Sequence, residues 1–286
     1  MRMTLIALLL IAAPVFASTA DAAEARWLRH TAISPDGSQV VFAYKGDLWL
    51  VSSQGGEARP LTSHAGVERF PVWSRDGKRI AFASDRHGNF DVFVMPASGG
   101  PATRLTWHSN RDTPTDFTPD GKAVLFSSTR LDDASANIPV SWFPELYTVA
   151  LEGGQPRKLL TTPTIAARYS PDGQTIVYED LRGGEDEFRK HHTSSVARDL
   201  RTWQPATNTH GRLTSWEGED RNPVYSADGK LVFYLSERSG TFNVWQRESS
   251  GPAEPTQVTA HETHPVRYLS IAKDGTLAYS FNGDLY

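Results

Sequence analysis

Residues 70–106 read FPVWSRDGKRIAFASDRHGNFDVFVMPASGGPATRLT, and the fold follows from this stretch. An apolar segment ends at Trp73, the chain turns at Ser74-Arg75-Asp76-Gly77, and alternation resumes with Ile80 and Phe82 on one strand face. Asp tolerates the second central position of a tight turn, and Gly accepts the positive φ that returns the chain into the next strand. A third run begins at Asp91-Val92-Phe93, and a fourth ends at Leu105-Thr106 after the pair Gly99-Gly100. Four short strands joined by turns are predicted.

The same turn recurs as SPDG at Ser34, TPDG at Thr118, SPDG at Ser170, SADG at Ser226 and AKDG at Ala272. With Asp76, its aspartates stand at 36, 120, 172, 228 and 274, so the six copies are spaced by 40, 44, 52, 56 and 46 residues. An apolar or aromatic residue precedes each turn: Ile33, Trp73, Phe117, Tyr169, Tyr225 and Ile271. Third strands open on Asp47-Leu48-Trp49, Asp91-Val92-Phe93, Glu145-Leu146-Tyr147, Asn243-Val244-Trp245 and Asp284-Leu285-Tyr286, with Asp199-Leu200-Arg201 a departure. Blade-sized repeats of about 40 to 50 residues arranged radially describe an all-β, six-bladed β-propeller of four-stranded antiparallel blades over residues 26–286. The sixth repeat stops at Tyr286, inside its third strand. An incomplete sixth blade, a ring not properly closed and an exposed strand edge are expected.

Residues 1–22 read as a signal peptide, with Arg2, an apolar run from Leu5 to Phe16 and a cleavage site at Ala20-Asp21-Ala22. Val15-Phe16-Ala17 offers a second site. The run is shorter than the ~20 residues needed to cross a bilayer, so a periplasmic or secreted protein without a membrane span is expected after cleavage. The chain has 286 residues and no cysteine, and a core of that size needs no disulfide. A formal net charge of -4 and the absence of any Lys/Arg block argue against nucleic acid.

Residues 70–106 resemble the repeat shared by the TolB propeller and the N-terminal propellers of tricorn-type serine peptidases. The fourth copy is more specific: YEDLRGGEDEFRKHHTSSVARDL, residues 178–200, is similar to the matching segment of the six-bladed first propeller of tricorn-type proteases. The resemblance covers residues 26–286. It implies a fragment of a longer protein in which a second propeller, a PDZ domain and a serine-peptidase core follow. It also implies peptides and those downstream domains as partners, large homo-oligomeric assemblies, and a propeller that admits or guides peptides. A stand-alone TolB-like binding propeller, or the propeller of a dipeptidyl-peptidase-type α/β-hydrolase, is the alternative.

No catalytic residue is expected on this chain. G-x-S-x-G is absent, and the HETH run from His261 to His264 is one residue short of the spacing that puts two zinc ligands on one helix face. The acidic run Glu185-Asp186-Glu187 lacks the spaced oxygens and turn glycine of a calcium loop, so neither metal nor cofactor is expected. The exceptional feature is a charged insert in the fourth repeat, from about Glu179 to Arg201. It holds His191-His192 beside Ser194 and Ser195, but adjacent strand residues point to opposite faces and do not make a triad. Its peptide-binding candidates are Arg182, Arg189, His191 and His192, which suit carboxylates and carbonyls; the rival is a solvated loop. Trp107 and Trp142 could also grip peptide, with packing between blades the rival, and Trp142 lies in a second long insert ahead of Glu145.

Overall fold

A computed structural model describes residues 26–130, 143–183 and 194–286. In blade 2 the strands Glu68–Trp73, Arg79–Ser84, Asp91–Pro96 and Thr103–Arg104 lie antiparallel in chain order. Blades 1, 3, 4 and 5 repeat this plan, and the sixth has three strands, Arg267–Ile271, Leu277–Phe281 and Asp284–Leu285. The innermost strands are Arg29–Ile33, Glu68–Trp73, Asp112–Phe117, Thr164–Tyr169, Asp220–Tyr225 and Arg267–Ile271. Each packs against the next around one axis, as a six-bladed propeller requires. The signal-peptide residues and Trp142 lie outside the described residues.

The expected gap between the last blade and the first is bridged near the axis. Ile33 N donates to Ser270 Oγ at 3.0 Å, Lys273 N to the Pro35 carbonyl at 2.9 Å, and Leu28 N to the Gly283 carbonyl at 2.9 Å. Ile33 and Val40 share a buried cluster with Ala272 and Ala278. Three strands suffice because the first two strands of a blade carry this seam, and the incompleteness is confined to the outer edge of the sixth sheet.

Strand alternation assigns the two faces of each sheet to two different interfaces. Ile80 and Phe82 pack with Val41, Leu48 and Leu50 of blade 1, whereas Ala81, Val92 and Val94 pack with Phe117, Val124 and Phe126 of blade 3. Ile176 and Tyr178 likewise face blade 3, and Val232 and Tyr234 face blade 4. The bulky residues read from the sequence thus point toward the preceding blade. Full burial of each stabilises by about 1.5–3 kcal/mol.

The turn motif closes through its own side chains. Ser34 Oγ donates to Asp36 Oδ1 at 2.6 Å, Ser38 N donates to the same oxygen at 3.0 Å, and Gln39 N donates to Ser34 Oγ at 3.0 Å. Ser74, Thr118, Ser170 and Ser226 repeat the hydroxyl-to-aspartate bond. The Ser34 hydroxyl, helped by Ser38, holds the Asp36 carboxyl at about 2, below its usual range. A second clip explains the third and fourth strands: Leu48, Val92, Leu200 and Val244 N each donate at 2.9 Å to the hydroxyl of Thr62, Thr106, Thr214 or Thr259. The departure at Asp199-Leu200-Arg201 therefore keeps a regular strand, Leu200–Gln204.

Gly77, Gly173 and Gly229 face a turn proline of the neighbouring blade, and Gly37 faces Asp274 of the sixth. All six turn glycines have positive φ, but a Cβ on Gly173 would stand 2.6 Å from Pro119, whereas one on Gly121 would have nothing within 4 Å. Gly121→Ala is expected to destabilise by about 1 kcal/mol, the conformational term alone, and Gly173→Ala by about 2–4 kcal/mol, because a rigid proline ring also stands in the way. Urea denaturation of both variants checks the order; equal losses would remove the inter-blade contact as a cause.

Candidate functional site

Every inner strand carries a bulge. In blade 2 the pairing passes from Arg69 with Ala83 to Val72 with Ala81, leaving an extra residue on the inner strand. The backbone there turns left-handed at His30, Phe70, Ala166, Asn222 and Tyr268, with φ between 49° and 57°. Blade 3 has Pro114 at this place; its ring holds φ near -65°, and the irregularity falls instead between the pairs Asp116 with Leu125 and Pro114 with Phe126. Such conformations cost about 1–3 kcal/mol at a non-glycine residue and persist where the surroundings over-determine them. A bulge re-aims a side chain. All six residues line one axial cavity of about 880 Å³.

The cavity has two unlike walls. On blades 6, 1 and 2, the His30 ring sits between Tyr268 and Phe70, with centroids 4.6 Å and 4.2 Å away. Burial, aided by the charges of Arg69 and Arg29, lowers the His30 pKa to about 3, so the imidazole is neutral. Across the axis, blades 4 and 5 present Arg168, Arg198 and Arg221 with Glu179. Arg198 Nη1 donates to Glu179 Oε2 at 3.0 Å, Asn222 N to Glu179 Oε1 at 2.7 Å, and Arg221 Nε to Glu219 Oε1 at 2.5 Å. Burial lowers the Arg168 pKa, against the pull of Asp116 and Glu179. Among the described residues, five arginines line the cavity against two carboxylates, Asp85 and Glu179.

The two ends of the cavity differ as well. Thr129, Pro144, Leu181 and Arg198 line it, and these residues stand at the roots of the two long connections between second and third strands. The turns lie at the opposite end of the second strands. There Arg75 reaches from blade 2 past blade 3 to blade 4, donating to the carbonyls of Pro171 at 2.9 Å, Ser170 at 3.0 Å and Tyr169 at 3.3 Å. Asp116 lies close by, its Oδ2 accepting from Tyr169 N at 2.8 Å. Burial raises its pKa, opposed by the charges of Arg168 and Arg75.

Of the binding residues expected from the sequence, Arg182 is described and Arg189, His191 and His192 lie outside the described residues. Arg182 Nη2 donates to Asp180 Oδ2 at 2.9 Å and to Asp199 Oδ2 at 2.6 Å, which clamps the two ends of the insert together. Arg201 and Arg212 reinforce the clamp by pairing with Asp180 and Asp199. The insert is shorter than expected: the second strand runs through Asp180 and the third begins at Leu200. Glu179 belongs to the strand, where its carboxylate receives a backbone N–H of the next blade. Trp107 is 61% exposed beside Arg104 and does not pack between blades. His261 stacks on Phe281 at 3.9 Å in a loop between blades.

The sequence reading passed over the cavity residues. A signal existed, since His30, Phe70, Pro114, Ala166, Asn222 and Tyr268 each stand three positions before the apolar residue that precedes a turn. Their chemical variety hid it, because no residue type recurs at that position.

Six sheets of this repeat around a lined axial cavity define a six-bladed β-propeller. The chain belongs to the family of the tricorn protease N-terminal β-propeller domain, which matches residues 25–286. The crystal structure of the tricorn protease superposes with a TM-score of 0.74 at 19% identity, over 92% of this chain and 25% of that one. A putative TolB from Agrobacterium tumefaciens gives 0.61 at 16% identity, over 91% and 80% of the two chains. An uncharacterised protein of Agrobacterium fabrum is 35% identical over 107 residues, 37% of this chain and 32% of its own length. A TolB homologue of Chlorobium luteolum is 37% identical over 65 residues, 23% of this chain and 13% of its own. The chain thus spans about a third or less of these two relatives and a quarter of the tricorn protease chain.

Two outcomes follow from this geometry. Arg75→Ala removes three bonds between non-adjacent blades and is expected to destabilise by about 1–2 kcal/mol, read as a lower melting temperature; an unchanged melt would make the strap incidental. His30 stays neutral in the fold down to about pH 3, whereas the unfolded residue protonates near 6.5. The unfolded state then binds more protons as the pH falls from 6.5 toward 3, so stability drops, by roughly 2 kcal/mol at pH 5 relative to pH 7. Urea midpoints at both pH values, compared with those of His30→Phe, measure the difference, which should shrink in the variant.

Proposed function

We propose that this chain is the non-catalytic propeller of an exported tricorn-type serine peptidase, and that it admits or guides peptides toward a peptidase core elsewhere in the longer protein. The observation that carries this reading is that the roots of both long inserts line the mouth of the axial cavity. Such a cavity takes an extended chain and excludes a folded one. Family membership supports the tricorn setting, and the leader-like first residues with the TolB-homologue similarity support the periplasm. In this reading the peptide meets Arg189, His191 and His192 of the insert, with Arg182 holding the insert closed at its base.

A stand-alone TolB-like propeller that docks on partner proteins is the second reading, favoured by the 80% coverage of the Agrobacterium TolB chain. The gene sequence beyond Tyr286 separates the two. A PDZ domain with a peptidase core supports the first, and a stop codon the second.

The functional test uses the full-length protein. Changing Arg189, His191 and His192 together to Ala should leave hydrolysis of a very small substrate unchanged and lower kcat/KM on longer peptides several-fold. Arg182→Ala should act in the same direction by loosening the insert. Unchanged kinetics on both substrate lengths would leave the insert without a role in peptide selection.

A further inference from the structure

Buried polar atoms without partners gather on the axial cavity. His30 Nδ1, Thr31 Oγ1, Ser127 Oγ, Arg168 Nη1 and Arg221 Nη2 all lack a hydrogen-bond partner, and all five residues line it. Leaving a buried donor unpaired costs about 1–3 kcal/mol, more when it is charged, so their concentration in one place calls for an occupant. Arg221 is only 8% exposed, and its Nε is already spent on Glu219.

The carboxylates of that wall are likewise committed. Glu179 gives one oxygen to Arg198 and the other to the Asn222 backbone, and Glu219 receives both Arg198 and Arg221. Asp116 is occupied by the backbone N–H groups of Phe117 and Tyr169. Guanidinium N–H groups on Arg168 and Arg221 therefore remain unpaired on a wall where Arg168, Arg198 and Arg221 stand against Glu179, Glu219 and Asp116. Facing them across the axis stand Phe70, His30 and Tyr268, an aromatic wall with a neutral imidazole at its centre.

We infer that the axial cavity is a binding site for a carboxylate attached to an aromatic or apolar group, with Arg168 and Arg221 receiving the carboxylate and Phe70, His30 and Tyr268 the apolar part. Arginine donates two parallel bonds to a carboxylate, and charge-assisted bonds of this kind are about twice as strong as neutral ones. A doubly charged phosphate is disfavoured because Glu179 and Asp85 line the same cavity. The volume of about 880 Å³ accommodates an aromatic amino acid or the end of a short peptide. This goes beyond the guiding role and holds whether or not a peptidase core follows.

Calorimetric titration of the full-length protein tests it with four probes: N-acetyl-phenylalanine, its primary amide, 3-phenylpropionate and inorganic phosphate. N-acetyl-phenylalanine should bind at least about tenfold more tightly than the amide, with the difference shrinking as salt rises. Equal binding of 3-phenylpropionate would identify any small aromatic acid as sufficient, and weaker binding would identify a peptide end; both support the site. Arg168→Gln and Arg221→Gln should each abolish the preference for acid over amide, while Lys230→Gln, at an exposed turn of blade 5, leaves it intact. If a cavity variant does not fold, the acid-to-amide ratio of the unaltered protein still decides. Equal affinity for acid and amide, no binding of either acid up to about 10 mM, tighter binding of phosphate, or a preference that survives both Gln variants would overturn the proposal and assign the unpaired atoms to water. No arm reads peptide turnover, so the result stands apart from the test of the guiding role.

Discussion

The innermost strand of each blade has one edge with no strand beside it, and its buried backbone groups need partners from elsewhere. The neighbouring blade supplies them. Ser270 receives Ile33 N, Asp116 receives Tyr169 N, and Glu179 receives Asn222 N, while Asn222 Nδ2 and Trp73 Nε1 donate to the carbonyls of Leu269 and Ala32. Each bond joins two blades. A sheet on its own would leave these groups unsatisfied, so the ring and its sheets form together. The buried acids Asp116 and Glu179 serve the backbone first, and their charge is a consequence that the arginines around them must balance.

The same edge explains the cavity. Six inner strands converging on an axis cannot pair across it, because the ring holds them too far apart for backbone bonds, and the bulges turn one side chain per blade into the space that remains. The left-handed residues store strain, and the unpaired atoms of His30, Arg168 and Arg221 store unmet hydrogen bonding. Strain and unsatisfied polarity gathered on one cavity mark a site rather than a core. The blade interfaces are the opposite case, with Phe82, Phe126 and Tyr178 buried between sheets in apolar clusters.

Family membership and the cavity answer different questions. The tricorn-type match identifies the module, while the fold hosts many functions and does not choose among them. Choice lies in what stands at the cavity mouth and on its walls. At the mouth, the clamp of Arg182, Asp180 and Asp199 joins the ends of a long insert, so its charges have a structural task before any contact with a ligand. Exposed ion pairs contribute about 0–1 kcal/mol each, yet a network that fixes where a loop leaves a sheet acts through geometry as well as energy.

The sequence by itself determined the number of blades, the place of each turn and the interface residues, because these depend on local rules repeated six times. A hydroxyl two positions before Asp in five of the six turns, Gly with positive φ and apolar alternation act within a few residues, and Ser34, Asp36 and Gly37 show all but the last. The three-stranded sixth sheet was legible for the same reason. Only the tertiary structure decided the cavity and the seam. Glu179 meets Asn222 across 43 positions of chain, Asp116 meets Tyr169 across 53, and Ile33 meets Ser270 across 237, and no local pattern announces such partners. Arg168 and Arg221 read as unremarkable strand residues until the ring brings them to one wall opposite His30. Closing the chain into a ring turns a position along a strand into a position around an axis, and that conversion exists only in three dimensions.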